Sequence, residues 1–310
     1  MVATQSLAKS DVDAIAEQVR NWGRWGTEDE IGALNLIRDA KRVQAAALVK
    51  EGVAVSCALP LPVRPAVDNP TPVQHHMLRG GDAQPASGFG GSADYFAISP
   101  HGFATTHLDA LCHIFVDGKM YNGFGMEEVR TDGTGRNSIM AGQDGIVSRG
   151  VLLDIAALRE VDWLEPGTTI GADELEAAEA AQGVTVEEGD ILLIGTGRDA
   201  RREQVGVWDP RVDGLAGLYA DCLPWLHERG VAVLGCDGVS DAMPSGVDGW
   251  PMPMHQIAIV SMGLHLIDNM QLGRLSEACR ERERWAFQLT LAPLRLERGT
   301  ASPVNPIAIF

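Results

Sequence analysis

The chain has 310 residues, 45% of them apolar, with a formal net charge of −17 and a calculated pI near 4.8. That length and apolar content suffice to bury a substantial core, as one large domain or two small ones. The acidity opposes a polyphosphate partner, and there is no Lys/Arg cluster of the kind that tracks a nucleic acid, so nucleic-acid binding is excluded.

In chain order, the opening MVATQSLAKSDVDAIAEQ lacks a basic start followed by an apolar core, so no secretory leader is expected. Ser10-Asp11-Val12-Asp13 reads as a helix start, and apolar residues recur to about Trp22. Residues 38–50 predict a second helix and Val53 to Leu59 a strand. Residues 60–92 are rich in Pro and Gly and are expected to be irregular, either a mobile active-site cover or disordered. Residues 150–155 and 190–194 read as buried strands with a helix at 172–181 between them. A helix at 216–229, a strand at 231–235, a helix at 253–263, a strand at 264–267 and an alternating strand at 286–292 complete the list. Interleaved strands and helices give an α/β or α+β class. With no repeat or clear linker, one domain is expected, 51–310, preceded by a helical extension, 1–50. No apolar run is long enough for a membrane span, so no membrane partner is expected. The five scattered cysteines include no CxxC pair, which argues against a disulfide framework and fits the cytoplasm.

The chemistry concentrates in residues 101–113, HGFATTHLDALCH. In an extended chain His107 and Asp109 face the same side, about 6.6 Å apart at Cα, and can converge on one ion. His113 reaches that pocket if the chain turns after Asp109. The best distant partners are His255, near a helix start, and Asp268, just past the following strand. A His, a carboxylate and a distant carboxylate suit one Mn²⁺ or Zn²⁺ with an open position for water, leaving His113 or His255 to shuttle protons. The plainer alternative is a chance HxD with a satisfied core histidine. His265 reads as a strand residue with a hydrogen-bond partner.

Other features carry weaker signals. His75 and His76, at the edge of the Gly/Pro-rich stretch, are candidate substrate contacts, as is Trp25; the alternatives are a solvated loop and a packing anchor. Gly195-Thr-Gly-Arg lacks the third Gly of a dinucleotide fingerprint and the GK[ST] of a P-loop. Gly238-Val-Ser-Asp-Ala misses the last Gly of a nucleophile elbow, so Ser240 reads as a turn residue bonded to nearby backbone. Cys236 reads as a small apolar filler, and Asp237 and Asp241 as carboxylates that orient imidazoles.

These residues resemble the cyclase superfamily that contains bacterial kynurenine formamidases and isatin hydrolase. Its signature, HxGTHxDxPxH, is matched by Thr106-His107-Leu108-Asp109 and by His113. Gly150-Val-Leu-Leu-Asp, Gly189-Asp-Ile-Leu-Leu-Ile-Gly-Thr-Gly, Gly235-Cys-Asp-Gly-Val-Ser, His255, Ile267-Asp-Asn-Met and the tail from Thr300 to Ala308 extend the likeness, and Trp22 to Asn35 resembles the longer members. The resemblance implies a swivelling β/β/α fold, a Mn²⁺ or Zn²⁺ ion, hydrolysis of a small-molecule amide, lactam or related acyl bond, and a homodimer or homotetramer. Three signature positions depart: Phe103 replaces the first His, Thr105 the Gly and Leu111 the Pro, while Asp268 stands where relatives carry Glu. Phe103 is then a candidate substrate contact rather than a ligand. In a straight strand His101 lies about 20 Å from His107, so it substitutes only if the chain folds back. The expectation is therefore one ion held by His107, Asp109 and Asp268, with His113 and His255 catalytic. Rival readings are a lactonase, a lyase or dehydratase using the same ion, and an inactive ligand-binding member.

Overall fold

The uninterrupted apolar runs at 151–153 and 191–194 are fully buried, as are Val233 and Leu234. They form central strands covered on both faces, the usual reason for a run without alternation. The computed structural model describes residues 7–83 and 88–310. Residues 1–6, the first of the stretch read as leaderless, and 84–87 of the Gly/Pro-rich stretch lie outside the described residues.

The elements are α1 (Lys9–Gln18), α2 (Asp39–Ala46), β1 (Ala54–Ser56), β2 (Gln74–Arg79), β3 (Ala93–Ala97), β4 (His107–Asp109), β5 (Ile146–Asp154), α3 (Ala172–Gln182), β6 (Ile191–Gly195), α4 (Arg198–Val205), α5 (Cys222–Glu228), β7 (Val233–Cys236), β8 (His265–Asp268), α6 (Gly273–Arg282), β9 (Ala286–Leu291), β10 (Ala301–Pro303) and β11 (Ile307–Ile309), with short turns between. Nine of the strands make one mixed sheet in the order β1-β11-β9-β5-β6-β7-β8-β4-β10. The four central strands β5, β6, β7 and β8 run parallel. The flanking pairs are antiparallel. The mixed α/β class is the one the sequence predicts.

α1 packs on α5 and on the wide, π-helical segment Met254–Met262, while α2 packs on β5. β9 alternates half-buried and buried residues, as its period-2 pattern predicts.

Two expectations fail and one helix goes unpredicted. The 60–92 stretch contains an ordered strand, β2, which pairs antiparallel with β3 just beyond it and whose residues are all exposed. The predicted 216–229 helix starts only at Cys222, because Gly217 and Leu218 pair with Thr169 and Ile170 as a short parallel bridge. The turn after β6 leads into α4, which the sequence reading passes over: its charged Arg-Asp-Ala-Arg-Arg-Glu-Gln offers no apolar stripe. Among the described residues no helix is long and apolar enough to cross a membrane.

Candidate metal centre

β4 is only three residues long, but it is clamped on both sides. Asp268 of β8 pairs with His107 across one edge, and Pro303 of β10 pairs with it across the other. Strand alternation then turns the His107 and Asp109 side chains the same way, and both are 1% exposed. His107 Nδ1 donates to the Thr105 carbonyl at 2.8 Å. That bond leaves the Nε2 lone pair free, 3.3 Å from Asp109 Oδ1.

After Asp109 the chain turns at once, the His113 amide donating to the Ala110 carbonyl at 3.0 Å. The turn brings His113 back, as its spacing requires. His101 arrives from the other direction through Gly102, which adopts a φ of 131° that a side chain rarely tolerates. The His101 ring stacks on His113 with centroids 3.7 Å apart and an 11° tilt. Its Nδ1 is 3.1 Å from Asp109 Oδ1, and its Nε2 is 3.2 Å from Thr300 Oγ1. The chain thus folds back, and the histidine that linear distance sets aside joins the cluster. Asn269 braces this bend by donating to the carbonyls of Gly102 and Thr105 at 2.7 and 3.1 Å.

His255 enters from the start of the π-helical segment, a distortion that recurs at functional sites. Its Nε2 is 3.4 Å from Asp109 Oδ2 and 3.3 Å from Asp268 Oδ2. Its Nδ1 meets Asp241 Oδ2 at 2.6 Å, and Asp241 also accepts the backbone amides of Met254 and His255. Asp241 therefore orients an imidazole, as the sequence suggests. Asp237 does not: it accepts from Thr196 and from the Arg198 amide instead.

These contacts fit a divalent cation. Both Asp109 oxygens, Asp268 Oδ1 and His101 Nδ1 are buried with no hydrogen-bond partner among the described residues. Their neighbours sit at 3.1–3.4 Å but not along donor directions. Ligands on one ion with bonds of about 2.0–2.2 Å lie roughly 3–3.5 Å apart, so this is the spacing of lone pairs aimed at a common point. Two sets of donor atoms fall within 4.8 Å of one another: His107, Asp109 and Asp268, and His101, Asp109 and His113. Asp109 belongs to both.

Electrostatics agree. Burial opposes the charged form of His107, but Asp109 and Asp268 outweigh it and hold the imidazole up at about 9. For His255 burial is likewise overcome, by Asp268, Asp109 and Asp241, which raise it well above its usual value. Burial would raise Asp109, but the surrounding imidazoles hold it well below the ordinary carboxylate range. The cavity is built around buried negative charge that needs positive charge at its centre, from protons or from a metal. Burial pushes His113 down to about 4, so its ring is neutral near pH 7.

Five predicted site residues, His107, Asp109, His113, His255 and Asp268, thus come together. The others join neither group. His75 and His76 lie on the exposed β2 ribbon, His75 bonded to Asp94 at 2.9 Å and His76 stacked on Tyr95. Trp25 packs against the core beneath Arg24. Phe103 stands beside Arg211 and lines a small cavity with His101. Two plainer expectations fail: His265 is a fully buried strand residue with neither ring nitrogen partnered among the described residues, and Ser240, at a φ of 61°, has an unpartnered hydroxyl. Cys236 is buried, its thiol raised well above the usual range by burial, as a filler should be.

The sheet order and the His/Asp cluster on its β4–β8 side define a known architecture. The chain matches the model of the Putative cyclase family over residues 25–241, well over half its length. A crystal structure described as a novel cyclase is 30% identical, with a TM-score of 0.86, covering 95% of this chain and 99% of that one. Isatin hydrolase A from Labrenzia aggregata shares the fold at 18% identity and a TM-score of 0.60, covering 85% of this chain and 94% of that one. Isatin hydrolase A from Ralstonia solanacearum does so at 20% and 0.59, covering 83% and 91%. No curated protein sequence matches the chain. The chain belongs to the cyclase family.

Proposed function

We propose that this protein is a metal-dependent hydrolase that cleaves a small-molecule amide, lactam or related acyl bond. The observation that carries the reading is the buried Asp109 carboxylate, which has three imidazole nitrogens within 3.4 Å and no hydrogen-bond donor among the described residues. A Mn²⁺ or Zn²⁺ ion held by His107, Asp109 and Asp268 would polarise the substrate carbonyl and acidify water. The hydrolase fold neighbours are in keeping with that chemistry.

The protons belong to the chain. His113, kept neutral by burial, can take a proton from the attacking water and return it to the leaving nitrogen. Asp241 pins His255 Nδ1, so only Nε2, facing Asp109 and Asp268, exchanges a proton with the site. The set His101, Asp109 and His113 supports a second reading, in which these residues would hold a second ion. His113 is then a ligand and His255 carries the proton alone.

The test is acid release by metal-replete protein across N-formyl amines, lactams and lactones in ¹⁸O-labelled water. Label in the product carboxylate is the expected result; turnover without label would replace hydrolysis by elimination. His113→Ala should lower turnover by roughly 10²–10⁴-fold with metal content unchanged. Elemental analysis showing one of two ions lost would make His113 a ligand instead.

A further inference from the structure

The bend at residues 102–105, which brings His101 back to the cluster, is held by its carbonyls. Asn269 Nδ2 donates to the Gly102 and Thr105 carbonyls at 2.7 and 3.1 Å, and Arg198 Nη2 donates to the Phe103 carbonyl at 2.7 Å. Arg198 Nη1 donates to Asn269 Oδ1, also at 2.7 Å. An amide whose oxygen faces a guanidinium presents its NH2 group elsewhere, so Arg198 fixes the orientation in which Asn269 holds both carbonyls. Both residues are buried, Asn269 completely.

Asn269 connects the two halves of the cluster. It directly follows Asp268 at the end of β8, in a left-handed conformation with a φ of 55°, and its backbone amide donates to the Gly238 carbonyl at 2.7 Å. Its side chain reaches the segment that carries the imidazoles. Gly102 adjoins His101, and the Thr105 carbonyl is the acceptor for His107 Nδ1. One amide thus ties Asp268 to the segment bearing both rings.

His101 is the ring that depends on it most. His107 is buried and keeps its own bond to the Thr105 carbonyl. The His101 side chain is 28% exposed, and Gly102 beside it holds a φ of 131°. A Cβ on Gly102 would meet no atom within 4 Å, so the glycine supplies that dihedral rather than room. Glycine is also free to leave it. The stack on His113 and the contact with Thr300 act on the His101 ring, whereas Asn269 acts on the backbone that delivers it.

Resting on the metal-centre reading above, we propose that Asn269, oriented by Arg198, is a positioning residue that acts through His101: its amide holds the 102–105 bend so that His101 Nδ1 stays at the Asp109 carboxylate.

The test is Co²⁺ binding by the full chain, read by chelator competition and by visible absorption, in wild type, Asn269→Gly, His101→Ala and the double variant. Glycine accepts a φ of 55° and leaves the backbone bonds of residue 269 in place. Asn269→Gly should weaken Co²⁺ binding by about 10–100-fold and shift the absorption of the bound ion. In the His101→Ala background the same substitution should change the Kd by less than about twofold, because the ring it acts through is gone. Equal losses in both backgrounds make Asn269 a general prop and overturn the assignment. If Asn269→Gly does not fold, Asn269→Asp, which keeps the shape and replaces the two donors by an acceptor, goes through the same cycle with the same two outcomes. Its added charge acts alike in both His101 backgrounds, so the difference between them isolates the part carried by His101. Wild-type protein that binds no Co²⁺ removes the metal-centre reading and this inference together; normal wild-type binding with unchanged variants removes this inference alone.

Discussion

Two buried aspartates, 2% exposed or less, show opposite uses of the same side chain. Asp237, just after β7, accepts both the amide and the hydroxyl of Thr196 and the amide of Arg198, and its own carbonyl accepts Arg198 Nη1 at 2.9 Å. Asp109, on β4, has no donor among the described residues and is surrounded by imidazole nitrogens that do not point hydrogens at it. The first carboxylate is spent on structure: it holds Arg198, which in turn donates to the Phe103 carbonyl and to Asn269. The second is left open for a ligand. Hydrogen-bond satisfaction, rather than burial or residue type, separates the two.

Asp109→Asn tests that difference most severely. Removing the carboxylate shared by both donor sets should abolish stoichiometric metal, read by elemental analysis, and lower turnover by more than about 10²-fold. Full metal occupancy in the variant would make the two aspartates alike. Asp237→Ala should do the converse. It leaves the buried Thr196 amide and hydroxyl and the Arg198 amide without their acceptor and should cost roughly 3–5 kcal/mol in urea unfolding. A loss under about 1 kcal/mol would show that Asp237 is not the structural member.

The smallest effect sharpens the structural side. Asp199, beside Asp237, accepts the backbone amides of Leu272 and Gly273 at the start of α6. Burial first, and the Asp237 charge second, raise its carboxyl to about 6. Between about pH 4 and 6 the folded chain therefore holds a proton that the unfolded chain has lost, and stability falls as pH rises through that window. Asp199→Asn keeps an acceptor without the charge. Relative to wild type it should gain on the order of 1–3 kcal/mol between pH 4 and pH 7. Parallel denaturation curves for the two proteins at both pH values would remove the effect.

What could be read in advance follows from locality. The spacing of His107 and Asp109 is a strand property, and the turn at Ala110 returns His113 within four residues, so that part of the cluster is written in seven consecutive positions. Residues 150–154 and 190–194 announce themselves because buried parallel strands are apolar throughout. His101 is hidden because its position depends on the φ of Gly102 and on Asn269, which are visible only after folding. The β2 ribbon escapes because Gln-His-His-Met-Leu-Arg is exposed on both faces and has no alternation to detect. α4 escapes for the same reason in helical form. His265 and Ser240 are read by residue type as satisfied groups, and type alone cannot report an empty hydrogen-bond partner.

β4 lies between β8 and β10, so the register that aligns His107 with Asp268 on one edge and Pro303 on the other joins segments from far-separated parts of the polypeptide. Such long-range pairing is slow and comes late in folding. During synthesis the β10 rung is missing until the ribosome has released residue 303, so a nascent chain shorter than that cannot assemble the full cradle. The positions of His107 and Asp109 therefore depend on strands that pair only when this late stretch of chain is in place.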